Sequence, residues 1–304
     1  MSKINSTPWV QISCVSKANN QKFYGLRGYR GPSLRKEVII LRLEFCTLAS
    51  GSGGNCTYIG SDHTKILIDA GISGKKIEEG LAELKLTGND IDALFITHEH
   101  VDHIKGAGIL SRRFDIPIFA TAETWAAMES GLGKIAPSNK RIVYADEMCP
   151  INDICVKPFE IPHDAAEPVG YNIFAGEKKI TLATDIGHAT DILRENLEGS
   201  DLLLLESNHD IEMVKRGPYP WNLKQRILGE CGHLSNVAAG ELLAEIMTGK
   251  LKYVFLGHLS EDNNKPHLAY ETVENILRNN RIEVGTHLRM DMASRFRNGV
   301  KVEL

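Results

Sequence analysis

The 304-residue chain has 35 basic and 39 acidic side chains and is 42% hydrophobic and 24% charged, the profile of a globular domain with ample material for a core. No run approaches the roughly 18 uncharged apolar residues of a membrane helix, and the first thirty residues lack the apolar block of a secretory signal. Cys14, Cys46, Cys56, Cys149, Cys155 and Cys231 show no CxxC spacing, which excludes a disulfide framework or cysteine-built zinc site and predicts free thiols in a reducing cytoplasm.

In chain order, residues 1–42 come first, with eight basic side chains against the single acid Glu37. That gives +7 on this segment and −11 on the rest of a chain whose net charge is −4. Rich in Asn, Ser and Gly and without sustained periodicity, it is expected as a disordered basic extension. The alternative is a basic arm that grips a nucleic-acid backbone. From residue 43 the pattern predicts consecutive strands over 43–49, 55–60 and 64–70, separated by the turn clusters SGSGG and GSDH. An amphipathic helix over 74–86 and a buried strand over 93–97 follow, the strand running straight into HEHVDH. Next come a helix over 104–114, a strand over 116–120, a helix over 123–132 and a strand over 141–145.

The second half begins again with strands, at 154–161 and in a hairpin of 171–175 and 179–183 turning at GEK. A helix over 190–197, a strand over 202–205, a helix over 236–247, a strand over 253–257 and a helix over 267–279 complete the regular part. Two β-rich halves, each dressed with helices and with no linker between them, predict one domain over 43–304, a four-layer αββα sandwich of the α/β (α+β) class.

The chemistry concentrates in Thr97-His98-Glu99-His100-Val101-Asp102-His103. At the end of a strand, alternate residues share a face, so His98 and His100 point the same way. Asp102 and His103 follow after the chain has turned and can address a second metal. A solvated charged turn would not gather three of the chain's 11 histidines in six positions behind a core strand. Imidazole and carboxylate donors suit zinc, manganese or iron, and metal pairs about 3.5–4 Å apart are a standard hydrolytic arrangement.

HxHxDH behind an apolar strand resembles the signature of metallo-β-lactamase-fold hydrolases, over residues 43 to at least 259. The resemblance implies that His98, His100 and His163 (in EIPHDAAEPVGY) hold one divalent ion. Asp102, His103 and His258 (in VFLGHLSEDN) then hold another, with Asp185 (in TLATDIG) between them. Asp69, in LIDAG, resembles the carboxylate that supports such a site, whereas His188 and His209 match no ligand slot. Glu206, at the end of LLLLE, and His233, in GHLS, resemble the proton-donating pair of tRNA 3′-processing nucleases with this fold. A purely helix-capping GHLS loop is the alternative. CTLASGSGGNCTYIG, ILIDAG, THEHVDHIKG, LLLLESNHD, GHLSN and GHLSEDN together resemble the YycJ/WalJ family of bacterial cytosolic metallo-hydrolases, exonucleases of DNA metabolism. The loop 50–55 either offers backbone N–H groups to a phosphate or is simply a tight turn.

The expected function is therefore two-metal hydrolysis of a phosphodiester, DNA favoured over RNA. A hydroxide bridging the ions attacks, Asp102 tunes the metals, and His233, oriented by Glu206, protonates the leaving oxygen. A thioester or lactone hydrolase would share the metal ligands without needing Glu206 and His233. A β-lactamase is disfavoured by Asp185, which stands where secreted β-lactamases have cysteine. A non-catalytic module fits poorly with an unbroken ligand set, and no flavin-binding domain accompanies the chain for a redox role.

Overall fold

The computed structural model describes residues 42–304; all but the last residue of the expected basic extension lie outside that range. Strands β1 (Glu44–Ala49), β2 (Cys56–Gly60) and β3 (Lys65–Ile68) lead through helix α1 (Gly74–Glu83) to β4 (Ala93–Phe95). Helices α2 (Val101–Ile104) and α3 (Ala107–Phe114), strand β5 (Ile118–Ala120), helix α4 (Ala122–Leu132) and strand β6 (Lys140–Ile142) follow. Then come β7 (Cys149–Ile151), β8 (Ile154–Glu160), β9 (Val169–Ala175), β10 (Lys178–Ala183), α5 (Asp191–Leu197) and β11 (Leu202–Glu206). The chain ends with α6 (Ile211–Arg216), α7 (Trp221–Ile227), α8 (Asn236–Ile246), β12 (Tyr253–Gly257), α9 (Pro266–Asn279), β13 (Arg289–Met292) and β14 (Val302–Glu303).

The strands form two seven-stranded sheets, ordered β14-β1-β2-β3-β4-β5-β6 and β13-β12-β11-β10-β9-β8-β7. Period-two alternation sorts their side chains into layers. Ile66, Ile68, Leu202 and Leu204 enter a core shared with Phe45, Phe95, Tyr171 and Phe255 from both sheets. Their neighbour Leu67 turns instead toward Ile77, Leu110 and Trp125 of the α1, α3 and α4 layer. Leu203 and Leu205 turn toward Leu193, Leu242 and Val273 of the α5, α8 and α9 layer. This is a four-layer αββα sandwich, as the strand pattern implied, and the arrangement that the motif resemblance leads one to expect.

The departures are local. The helix expected over 104–114 begins instead at Val101 and is interrupted at Lys105 and Gly106, because the Gly106 N–H donates to Ala70 O at 2.7 Å. The interruption puts Asp102 and His103 on a helical turn. Strands β7, β13 and β14 and helices α6 and α7 carried no readable period, being two to seven residues long. β14 pairs with β1, so the C-terminal end of the chain closes the sheet that the N-terminal half begins.

Candidate metal centre

Within each sheet the central strands run parallel, β3–β4–β5 in one and β10–β11–β12–β13 in the other. Parallel strands place their carboxyl ends side by side, which is where α/β folds open a crevice. Asp69, Asp185 and His258 follow the ends of β3, β10 and β12, each with a left-handed backbone (φ 61°, 61° and 53°). Non-glycine residues pay about 1–3 kcal/mol for such a conformation and keep it only where the surroundings impose it. Here it turns each side chain back over its strand end. Gly71 is indispensable nearby: a Cβ there would lie 1.5 Å from Asp102 O.

His98, His100 and His163 bring one ring nitrogen each to a common point, with His98 Nε2 3.0 Å and His163 Nε2 3.4 Å from His100 Nδ1. Asp102, His103 and His258 form a second group. Asp185 reaches both, its oxygens lying 3.3 Å from His103 Nε2, 3.5 Å from His258 Nε2 and 3.8 Å from His163 Nε2.

The outer nitrogens determine what the inner ones offer. His103 Nδ1 meets the Asp69 carboxylate at 2.8 Å, and His258 Nδ1 meets Glu206 Oε1 at 2.8 Å. His163 Nδ1 meets Gly232 O at 3.2 Å, and His98 Nδ1 meets Thr97 Oγ1 at 3.0 Å. The two carboxylates and the Gly232 carbonyl can only accept, so they draw the Nδ1 proton of His103, His258 and His163 outward and turn Nε2 inward. The Thr97 hydroxyl, itself donating to Asp69, is free to accept from His98. Nε2 of His103, His163 and His258 faces the carboxylates of Asp102 and Asp185, an arrangement that calls for positive charge, a proton or a cation, between them. Consistently, Asp185 Oδ2 and His258 Nε2 are buried without a hydrogen-bond partner. Burial pushes His98 and His163 below the ordinary imidazole range. Burial acts the same way on His103 and His258, but the surrounding carboxylates, Asp185 among them, outweigh it and raise both, His258 to about 10. These carboxylates demand positive charge, and a divalent cation meets that demand. The buried nitrogen and oxygen donors therefore fit divalent metals.

Glu206 is fully buried at the end of β11 and accepts four hydrogen bonds. Ile186 N (2.6 Å) and Leu234 N (3.1 Å) donate to one oxygen, His233 Nδ1 (2.9 Å) and His258 Nδ1 (2.8 Å) to the other. Both oxygens are thus engaged by hydrogen-bond donors. Burial opposes ionisation, yet the two imidazoles hold the carboxyl well below its usual range. The same carboxylate raises His233 against the effect of burial. The Ser235 cap of α8 is also present, its side chain accepting from Ala238 N. Capping and the Glu206–His233 contact therefore coexist.

The beta-lactamase superfamily domain matches residues 64–256. The exodeoxyribonuclease YycJ of Bacillus anthracis is 42% identical over 243 residues, 80% of this chain and 92% of that protein. The chain belongs to the YycJ/WalJ family. Exodeoxyribonuclease WalJ of Streptococcus pneumoniae, another member, is 40% identical over 81% of this chain and 93% of its own length. The fold also matches the crystal structure of the metallo-β-lactamase-fold protein YhfI from Bacillus subtilis, with TM-score 0.65 and 15% identity over 86% of this chain and 100% of that one.

Around this YycJ/WalJ-family centre opens a cleft of about 340 Å³, lined by His100, Asp102, His163, Asp185, His233 and His258, with Ser52 and Arg226 at its rim. Every residue expected to bind metal or move a proton borders it or lies directly behind it. His188 stands apart, with Nδ1 against Glu230 O, and His209 is buried against the Ser235 bridge. Burial pushes His209 down to about 4, which suits a neutral structural imidazole. In the loop 50–55, Gly51 N donates to Asn55 Oδ1, Gly54 N to Gly51 O and Asn55 N to Asp102 O, all at 2.9 Å. Sequence reasoning missed Arg226 at the rim of the cleft and Asp164 and Tyr219 in the cavity adjoining it. A basic residue between two Gly/Pro-bounded clusters was the sole trace of Arg226. No helix among the described residues is long and apolar enough to cross a membrane.

Proposed function

We propose that this chain is a DNA exonuclease that hydrolyses phosphodiesters with two divalent cations, zinc or manganese. The carrying observation is the pair of converging donor groups with Asp185 within reach of both. His98, His100 and His163 would hold one ion and Asp102, His103 and His258 the other, with Asp185 shared. Iron would fit the same donors. Bound cations would supply Lewis-acid polarisation of the phosphoryl oxygens and a more acidic water.

The chain's own groups supply positioning and proton transfer. Asp69, Thr97, Gly232 O and Glu206 orient the ligand imidazoles. Nδ1 of His233 faces Glu206, so its Nε2 is the atom that can carry a proton to the departing oxygen. Glu206 keeps that imidazole protonated into a higher pH range, which suits a general acid. The exodeoxyribonuclease activity named for the two relatives supports DNA as the substrate. We place the enzyme in the cytoplasm, where thiols such as Cys46 and Cys56 stay reduced.

The test is cleavage of end-labelled DNA and RNA with Mn²⁺ or Zn²⁺, by the full chain and by residues 43–304, beside His100→Ala and His233→Ala. DNA is expected to be cut, His100→Ala to abolish cutting, and His233→Ala to slow it by roughly 10²–10⁴-fold with metal retained. Metal-loaded protein that leaves nucleic acid intact but opens thioesters or lactones would overturn the proposal. Equal activity of the two forms would exclude a role for residues 1–42 in catalysis.

A further inference from the structure

Arg226 lies at the boundary of two cavities, the cleft over the ligand cluster and a second of about 180 Å³ beyond it. His233 and Ser52 also border both. The guanidinium is fixed from one side: its Nε donates to Asp164 Oδ2 at 2.5 Å, and Asp164 N in turn donates to Cys231 O at 3.2 Å. Among the described residues nothing accepts from its two Nη groups, and the side chain is 56% exposed. An arginine anchored through Nε presents its remaining N–H groups as a preset fork, the geometry that suits a phosphate. The second cavity is also of two kinds. Leu223 and Ile227 form an apolar wall, while Asn208, Tyr219 and Ser260 supply polar groups, a combination suited to a nucleoside.

His233 sets the direction. If it protonates the departing oxygen, the nucleoside carrying that oxygen must lie on the His233 side, where the second cavity opens. Resting on the nuclease function proposed above, we propose that the second cavity receives the leaving nucleoside and that Arg226, anchored by Asp164, binds the phosphate flanking the scissile one on that side. Arg226 then determines specificity: it recognises a second negative charge one nucleotide away from the reacting centre. A simple diester with one phosphate leaves this contact unmade.

The experiment uses the full-length, metal-loaded enzyme and oligodeoxynucleotides carrying one neutral methylphosphonate, moved linkage by linkage from the end. A terminal phosphate is compared with a terminal hydroxyl in the same series. Single-turnover rates give kcat/KM, and fluorescence anisotropy with His100→Ala gives binding apart from cleavage. In the wild type, removing one particular flanking charge, and no other, is expected to lower kcat/KM by roughly 10- to 100-fold. Arg226→Ala should show the same loss on the unmodified oligonucleotide and become indifferent to that modification. Arg226→Lys should recover only part, because an ammonium cannot pair with Asp164 and still offer a fork. Bis(p-nitrophenyl) phosphate, which has no flanking phosphate, should lose far less on Arg226→Ala than the oligonucleotide does, and an equal loss on both would overturn the assignment. If the losses from Arg226→Ala and from the critical methylphosphonate multiply, the assignment of Arg226 is wrong. Failure of the wild type to cut any oligonucleotide would instead overturn the nuclease function itself.

Discussion

The strand ends that carry the proposed ligands and helix α7, through Arg226, meet at the same cleft, yet they are built by opposite means. His98, His163, Asp185 and His258 are buried and follow core strands, and the buried His103 sits on the helical turn just after β4. No residue of α7 is buried, and Trp221 at its start is 71% exposed. Beyond the buried Val214 of α6, the stretch through α7 is tied down by a few polar contacts: Tyr219 to Asp262, Arg226 to Asp164, and Lys224 Nζ to Lys215 O. The lesson is a division of labour. On the proposed reading, donors that must converge to within a few ångströms sit at the ends of core strands, whereas groups that would meet a long, variable substrate sit on a more exposed rim.

The comparison can be broken most severely at Gly71. Gly71→Ala would force a methyl group against Asp102 O and should cost about 4 kcal/mol or more, read by urea unfolding. Gly53→Ala, whose Cβ would meet nothing within 4 Å, belongs to the rim-like part of the same site. It should stay within about 0.5 kcal/mol of the parent. Equal costs would show that the strand-end turns are no more rigid than the loop. Next in size is Asp69→Asn, which weakens the orientation of His103. Metal affinity should fall roughly 10- to 100-fold by competition with a chelating dye, and an unchanged affinity would remove Asp69 from the site.

Much of this was legible in the sequence, and the boundary between the two regions is also the boundary of legibility. Ligand chemistry requires His and Asp, so HEHVDH stands out behind its apolar strand, whereas His163, Asp185 and His258 are picked out only by the resemblance to the family's later motifs. The layers were readable for a related reason: Leu202 to Leu205 must alternate between two cores, which enforces apolar residues on both faces. Helices α6 and α7 escape because six or seven residues around Gly217-Pro218-Tyr219-Pro220 cannot display a 3.6-residue period. The Arg226–Asp164 contact joins positions 62 apart, and no local pattern announces it. Strand β14 is a two-residue edge element defined entirely by its pairing with β1.

Glu206 joins the two regions, since it contacts both His258, a proposed ligand, and His233, the proposed proton donor. A general acid works while protonated, so activity falls as pH rises through its pKa. Glu206 raises His233, and Glu206→Gln should therefore move the alkaline limb of the kcat profile to lower pH. An unmoved limb would sever His233 from that limb. The smallest effect is expected at the rim. Tyr219→Phe removes one tether and should raise KM by roughly 3- to 10-fold, with kcat, metal content and stability to urea little changed. A loss of metal instead would mean that the rim and the strand ends are one unit.

The most direct test of the central claim is leaving-group rescue of His233→Ala. The variant would be loaded to the metal content of the wild type, and both would be given matched DNA diesters. One carries the natural sugar oxygen at the scissile bond and the other a bridging sulfur, which leaves without needing a proton. The account predicts a defect of roughly 10²–10⁴-fold on the oxygen substrate and near-wild-type cleavage of the sulfur substrate. Equal defects on both, at full metal content, would contradict it and leave His233 without a role in proton transfer.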